Sequence, residues 1–180
     1  MRRLSKSSDG FTYIAALMLV VIMGIMLGVA GQSWTMLMKR ERESELLFRG
    51  KQIVDAIARW QDPTGGVGNA VATPVRPLND LKDLLLDPNS VSKKRLLRKD
   101  PQTSYNDPIT GKEWETIRDP VRGIIGVKST SEDPPLRQTG FLELFYPLDP
   151  NSRRDRYLIT MLSGFEKKTK YQDWLFVWTP

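Results

Sequence analysis

Between Phe11 and Met38 the chain runs for 28 residues without one charged side chain. As a helix rising about 1.5 Å per residue, such a run measures roughly 42 Å. A bilayer core asks for only about 20 apolar residues. Met1 to Gly10 carry Arg2, Arg3 and Lys6 against Asp9 alone. This positive-inside flank predicts a cytoplasmic N-terminus and an exported segment after Lys39. A secretory signal peptide has an apolar core of only about 7–15 residues ending in a small-x-small cleavage site. The run here is longer and passes directly into an amphipathic helix, so an anchor is expected rather than a removed secretory signal.

The junction narrows the choice further. The charges stop at Gly10, and the apolar run begins at once with an aromatic residue in Gly10-Phe11-Thr12-Tyr13-Ile14. This arrangement resembles the class III leader of type IV pilins and type II secretion pseudopilins, with Thr12 and Ile14 also matching. The resemblance implies that a membrane-embedded prepilin peptidase cuts between Gly10 and Phe11 and methylates Phe11. Ala15 departs from the family, whose members mostly carry a glutamate five residues after the cut. A carboxylate in hydrocarbon needs a partner, and in the family that partner is the N-terminal amine of a neighbouring subunit. Without it, the resemblance fits a minor subunit, or a branch whose register is set by packing. Gly24 and Gly28 form a GxxxG step and Gly31 follows. They are candidate helix-packing residues, although glycine is also common in membrane helices generally.

From Lys39 the pattern turns periodic. Leu46, Gly50, Ile53, Ile57 and Trp60 recur at steps of four and three, with Leu47 and Val54 beside them, which predicts one apolar helical face. Lys39 to Glu43 and Glu45 to Arg49 are spaced for ion pairs on the solvent side. The helix is expected to run from about Thr12 to Gln61 and to stop at Asp62-Pro63, because proline disfavours helix at the residue before it. The expected organisation is therefore a leader at 1–10, the transmembrane half of a spine helix at 11–38, its amphipathic half at 39–61, and an exported α+β head at 62–180. The stretch Leu46 to Ile53, preceded by Lys39 to Glu43, resembles a branch of pseudopilins related to the major one.

In the head, residues 62–77 form a loop by composition, with Pro63, Gly65, Gly66, Gly68, Pro74 and Pro77. Leu78 to Leu86 read as a short second helix ended by Asp87-Pro88. Pro77, Leu81, Asp83 and Leu84 match a short helix that follows the spine in the family. Ser92 to Lys99 is the most basic run, read either as a lipid-headgroup contact or as a solvated face with Leu96 and Leu97 buried. In Asp107-Pro108-Ile109-Thr110-Gly111, Asp107 suits an Asx turn and Gly111 a left-handed backbone. The segment is similar to the Asp-Pro-x-Gly loop of the major pseudopilin, with one extra residue before the glycine and Trp114 as its aromatic. Strands are expected at 123–128, 141–146, 157–162 and 174–178, with 147–152 turning between the second and third. Together they predict about four antiparallel strands covering the spine's apolar face, a pilin-like α+β fold. The aromatics of the last run are expected in the core.

The head's chemistry is read mainly by exclusion. With no cysteine and no histidine, disulfides, Cys/His metal sites and histidine-based triads are ruled out. Glu132, Asp133, Asp149, Asn151 and Ser152 offer hard oxygens of the kind that bind calcium in some major pseudopilins. They lack EF-hand spacing, and solvated turns explain them equally well; no metal, cofactor or catalytic residue is predicted. The net charge is +6, but acids alternate with bases, so a nucleic-acid surface is not indicated. The expected function is a structural subunit of a pseudopilus or pilus-like filament, and not an enzyme. Its implied partners are like subunits, a prepilin peptidase, an inner-membrane platform protein and an assembly ATPase. Expected localisation is a single pass through the inner membrane with a periplasmic head, then a periplasmic or surface filament. The alternative is an uncut bitopic anchor whose head is a binding adaptor. A third reading, a membrane-bound enzyme, requires convergent buried carboxylates in the head.

Overall fold

A computed structural model describes residues 9–62, 76–88, 95–97, 106–145 and 147–179. The leader up to residue 8, the loop at 63–75 and most of the basic run at 92–99 lie outside them. The chain divides into two compact units, Met1–Glu41 and Arg42–Pro180. Helix α1, Asp9–Gln61, contributes to both. Its end at Gln61 is where Asp62-Pro63 predicts it, closed by a hydrogen bond from the Asp62 amide to the Ala58 carbonyl.

In the first unit α1 is solvent-exposed on every side, with Phe11, Val20, Ile25, Leu27 and Trp34 all open. Within the second unit its periodicity becomes burial. Leu46, Leu47, Ile53, Val54, Ile57 and Trp60 are all buried, as their three-and-four spacing predicts. Each contributes on the order of 1.5–3 kcal/mol when fully removed from water. Gly50 lies on the same stripe, and a β-carbon there would collide with the Phe176 ring.

The partner of that stripe is a small antiparallel sheet in the order β1 (Glu115–Asp119), β2 (Gly123–Lys128) and β3 (Leu175–Val177). Thr116 pairs with Val127 and Ile117 with Gly126; the register then shifts, so that Arg118 faces Ile124. β3 joins β2 through Gly126 with Val177 and Val127 with Phe176. The expected strands at 123–128 and 174–178 are thus present. β1 lies outside the expected strands: Glu-Thr-Ile-Arg-Asp has no apolar face and is held by its ladder with β2.

Two expected strands are helical instead. Residues 157–162 belong to α2, Arg153–Ser163. The buried residues Tyr157, Leu158, Met161 and Leu162 recur with helical, not alternating, period. Leu142–Phe145 forms a 3₁₀ turn after Phe141, entered through Gly140 at φ +75°. The 147–152 turn therefore leads into α2, with the Asp149 carboxylate accepting from the Asn151 amide, and among the described residues the sheet has three strands rather than four. The short second helix is a single 3₁₀ turn, Leu81–Leu84, capped by Asp80, whose carboxylate accepts from the Lys82 amide.

An aromatic cluster closes the core. Phe165 stacks on Trp174 at 5.5 Å, while Phe141, Tyr171 and Phe176 meet this pair edge-on. The aromatics at 174–178 are core residues, as expected. Leu97 is buried and Leu96 packs against the core, which favours the reading of that run as a face with buried leucines. The layout is α+β: one long N-terminal apolar helix and a small three-stranded antiparallel sheet.

Candidate functional site

The first unit offers a surface rather than a cleft. Gly10 and Phe11 stand in the first turn of α1, and the Phe11 ring is exposed. Ala15 lies one turn further along, also exposed. No atom lies within 4 Å of where a β-carbon would stand on Gly24, Gly28 or Gly31. Steps of four and three keep these three glycines on one face of the helix, which is free for close approach by another backbone. Ser33 donates its hydroxyl to the Val29 carbonyl at 3.1 Å, so this polar group is satisfied inside its own helix. Among the described residues one helix, near the N-terminus, is long and apolar enough to cross a membrane.

In the second unit several buried acids and hydroxyls are occupied in holding loops. Glu43 was expected to face solvent opposite Lys39; instead it is buried. Its carboxylate accepts from the amides of Leu136 and Arg137, at 2.7 and 3.0 Å, and from the Tyr171 hydroxyl at 2.8 Å. Burial first, and then the bond to Glu43, raise the Tyr171 hydroxyl pKa well above its ordinary value. Only the alternation of charges along Lys39 to Glu45 was visible in the sequence; nothing in it marks Glu43 as the inward-facing acid. The Glu45–Arg49 pair is present at 2.6 Å. Tyr157 also donates its hydroxyl to Asp55, which pairs with Lys51 at 2.8 Å.

Asp107 is fully buried and organises the second polar knot. One carboxylate oxygen accepts from the Ile109 amide at 2.9 Å, the expected Asx turn. The other accepts from the hydroxyls of Thr110 at 2.8 Å and Ser129 at 2.6 Å. Gly111 takes the left-handed backbone at φ +71°. Ser129 in turn receives the Ser131 amide at 3.0 Å, so the loop after β2 is tied to the turn before β1. Both carboxylate oxygens of Asp107 are thereby engaged by donors from the same chain.

A third knot closes the end of α1. The Arg76 guanidinium lies 3.8 Å over the Trp60 ring and forks onto Asp87 at 2.8 and 2.5 Å. Its bond to Asp87 raises the already high Arg76 pKa. Trp60 Nε1 donates to the Arg76 carbonyl at 3.1 Å.

The oxygens considered for calcium are divided among separate tasks. Glu132 pairs with Lys170 at 2.9 Å, Asp133 bonds Ser131, and Asp149 serves its own turn. Among the described residues no group of three or more acids is arranged to hold a metal ion. A shallow groove of about 460 Å³ opens between α1 and α2, lined by Lys51, Phe145, Leu148, Asp155 and Leu158. Of the predicted site residues and the oxygens considered for calcium it reaches only Ser152. No family model, curated protein or solved structure matches the chain.

Proposed function

We propose that the chain is a structural, non-catalytic subunit of a pilin-like filament of the type II secretion or type IV pilus kind. It is stored in the inner membrane with its head in the periplasm, cut between Gly10 and Phe11, methylated at Phe11, and assembled through α1. The observation that carries this reading is the division of one helix into two surfaces. Apolar side chains are exposed all round from Phe11 to Leu37, and a single apolar stripe is buried from Leu46 to Trp60. The first surface requires lipid or other helices around it; the second is already satisfied by the head. Assembly exchanges lipid for the N-terminal helices of like subunits, with Gly24, Gly28 and Gly31 on the approach face. A platform protein and an assembly ATPase supply the extraction work.

The reading is tested by chemical crosslinking of envelopes from cells that do or do not contain the prepilin peptidase. Ladders of crosslinked multimers that contain the chain are expected only when the peptidase is present. Uncrosslinked, monomeric chain in both strains contradicts filament assembly. Ala15 gives the bitopic adaptor reading its one specific support, because the assembly carboxylate of the family is missing there.

A further inference from the structure

Two aromatic side chains divide the charge-free run of α1 at places that hydropathy does not mark. Tyr13 and Trp34 are 67% and 64% exposed. The 21 positions that separate them correspond to about 32 Å of helix, close to the roughly 30 Å of a hydrocarbon core. Tyrosine and tryptophan combine an apolar body with a polar tip and collect at the headgroup level of both leaflets. Between them the exposed side chains are overwhelmingly Ile, Leu, Met and Val. Polar residues gather at the two ends: Thr12 beside Tyr13, and Gln32, Ser33 and Thr35 around Trp34, with Lys39 and Arg40 just beyond.

Tilt separates this register from one that covers the whole run. Fitting about 42 Å of helix into a 30 Å core needs a tilt near 44°, outside the usual range of about 0–40°. Fitting the Tyr13–Trp34 interval needs only about 18°, near the average of about 20° for membrane helices.

We propose that lipid hydrocarbon covers Ile14 to Ser33 only. Tyr13 anchors the helix at the cytoplasmic interface and Trp34 at the periplasmic one. Thr35 to Met38, although uncharged, lie among the headgroups, where Lys39 and Arg40 reach lipid phosphates. The placement rests on the chain crossing a bilayer and not on filament assembly, so an unprocessed anchor has the same register. Failure of peptidase dependence leaves it intact, and its own failure leaves processing intact.

The chain has no native cysteine, so single-cysteine variants of the full chain report one position each. They are reconstituted in phosphatidylethanolamine–phosphatidylglycerol vesicles with a water-soluble maleimide on both sides. Val20→Cys, Leu27→Cys and Ala30→Cys are expected to label at least about tenfold more slowly than Leu37→Cys and Arg40→Cys, because hydrocarbon excludes the thiolate. Leu37→Cys as slow as Leu27→Cys would mean that lipid covers the whole run, and Ala30→Cys as fast as Leu37→Cys that the boundary is deeper; either result overturns the proposal. A second measurement needs no new thiol. The emission lost in Trp34→Phe, taken as a difference from the parent chain, is expected to be quenched more by lipids brominated near the glycerol than by lipids brominated at the chain end. The reverse order overturns the placement of Trp34.

Discussion

Tyr171 donates its hydroxyl to Glu43 at 2.8 Å, joining residues 128 positions apart in the chain. Two backbone amides complete the carboxylate's partners, so an acid on α1 is held by the loop at 136–137 and by the turn before β3. Bonds to a buried charged group contribute about 1.5–3 kcal/mol each. Tyr171→Phe is therefore expected to lower the unfolding free energy of the full chain in detergent by about 1.5–3 kcal/mol. Glu43→Ala is expected to cost more, about 3–5 kcal/mol, because it removes the shared acceptor of one buried and two part-buried donors at once. Denaturant titration checks both; equal, near-zero losses would remove this clamp from the account.

The same hydroxyl predicts a pH dependence. Its folded-state pKa is raised above the ordinary value of 10.0, first by burial and then by Glu43. The folded chain therefore holds this proton more tightly than the unfolded chain does. The contribution is fully present below pH 10 and is lost as pH rises through the raised value. Above pH 10 the parent chain should lose stability more steeply than Tyr171→Phe, which has no proton to lose there. Parallel slopes in the two proteins would refute the linkage.

Gly50 tests how closely the sheet approaches the helix. Alanine normally stabilises a helix interior by about 1 kcal/mol over glycine. At Gly50 the new methyl meets the Phe176 ring, which is fully buried and held by Trp114 and Phe165. Overpacking of about 1–3 kcal/mol should win, so Gly50→Ala is expected to destabilise the head. Gly28→Ala, with nothing near it, should leave head stability unchanged. Shortening the ring as well, in Gly50→Ala with Phe176→Leu, should recover part of the loss, a coupling that denaturant titration of the double mutant reads directly.

Ala15 separates packing from charge as the source of helix register. If Gly24 and Gly28 set the register, Ala15→Glu should change filament incorporation less than about twofold, while bulky residues at the two glycines should abolish it. Quantifying the chain in crosslinked envelope multimers checks this. A large gain from Ala15→Glu would show that the missing carboxylate limits assembly.

These tests also mark where the sequence was readable. The stripe Leu46 to Trp60 and the stop at Asp62-Pro63 were legible because helical period and proline chemistry are local. Asp107 and Gly111 were legible for the same reason, since an Asx turn is closed within three residues. The 157–162 segment carries conflicting signals: Tyr, Ile and Thr favour strands, while the burial of Tyr157, Leu158, Met161 and Leu162 follows a helix. β1 has no apolar face to announce it, and its stability comes from pairing with β2. Glu43 is the clearest case: its neighbours offer an i to i+4 partner on the surface, yet the donors that bury it come from residues 136, 137 and 171. Tertiary partners of that kind leave no local trace. In the first unit, the exposed apolar surface was legible from the run itself.

The proposed cut between Gly10 and Phe11 is decided by N-terminal mass spectrometry of the envelope protein. With the prepilin peptidase present, the mature chain should begin at N-methylated Phe11; without it, the protein should retain Met1 to Gly10. An N-terminus unchanged by the peptidase, still ahead of Gly10 in both strains, would contradict the account.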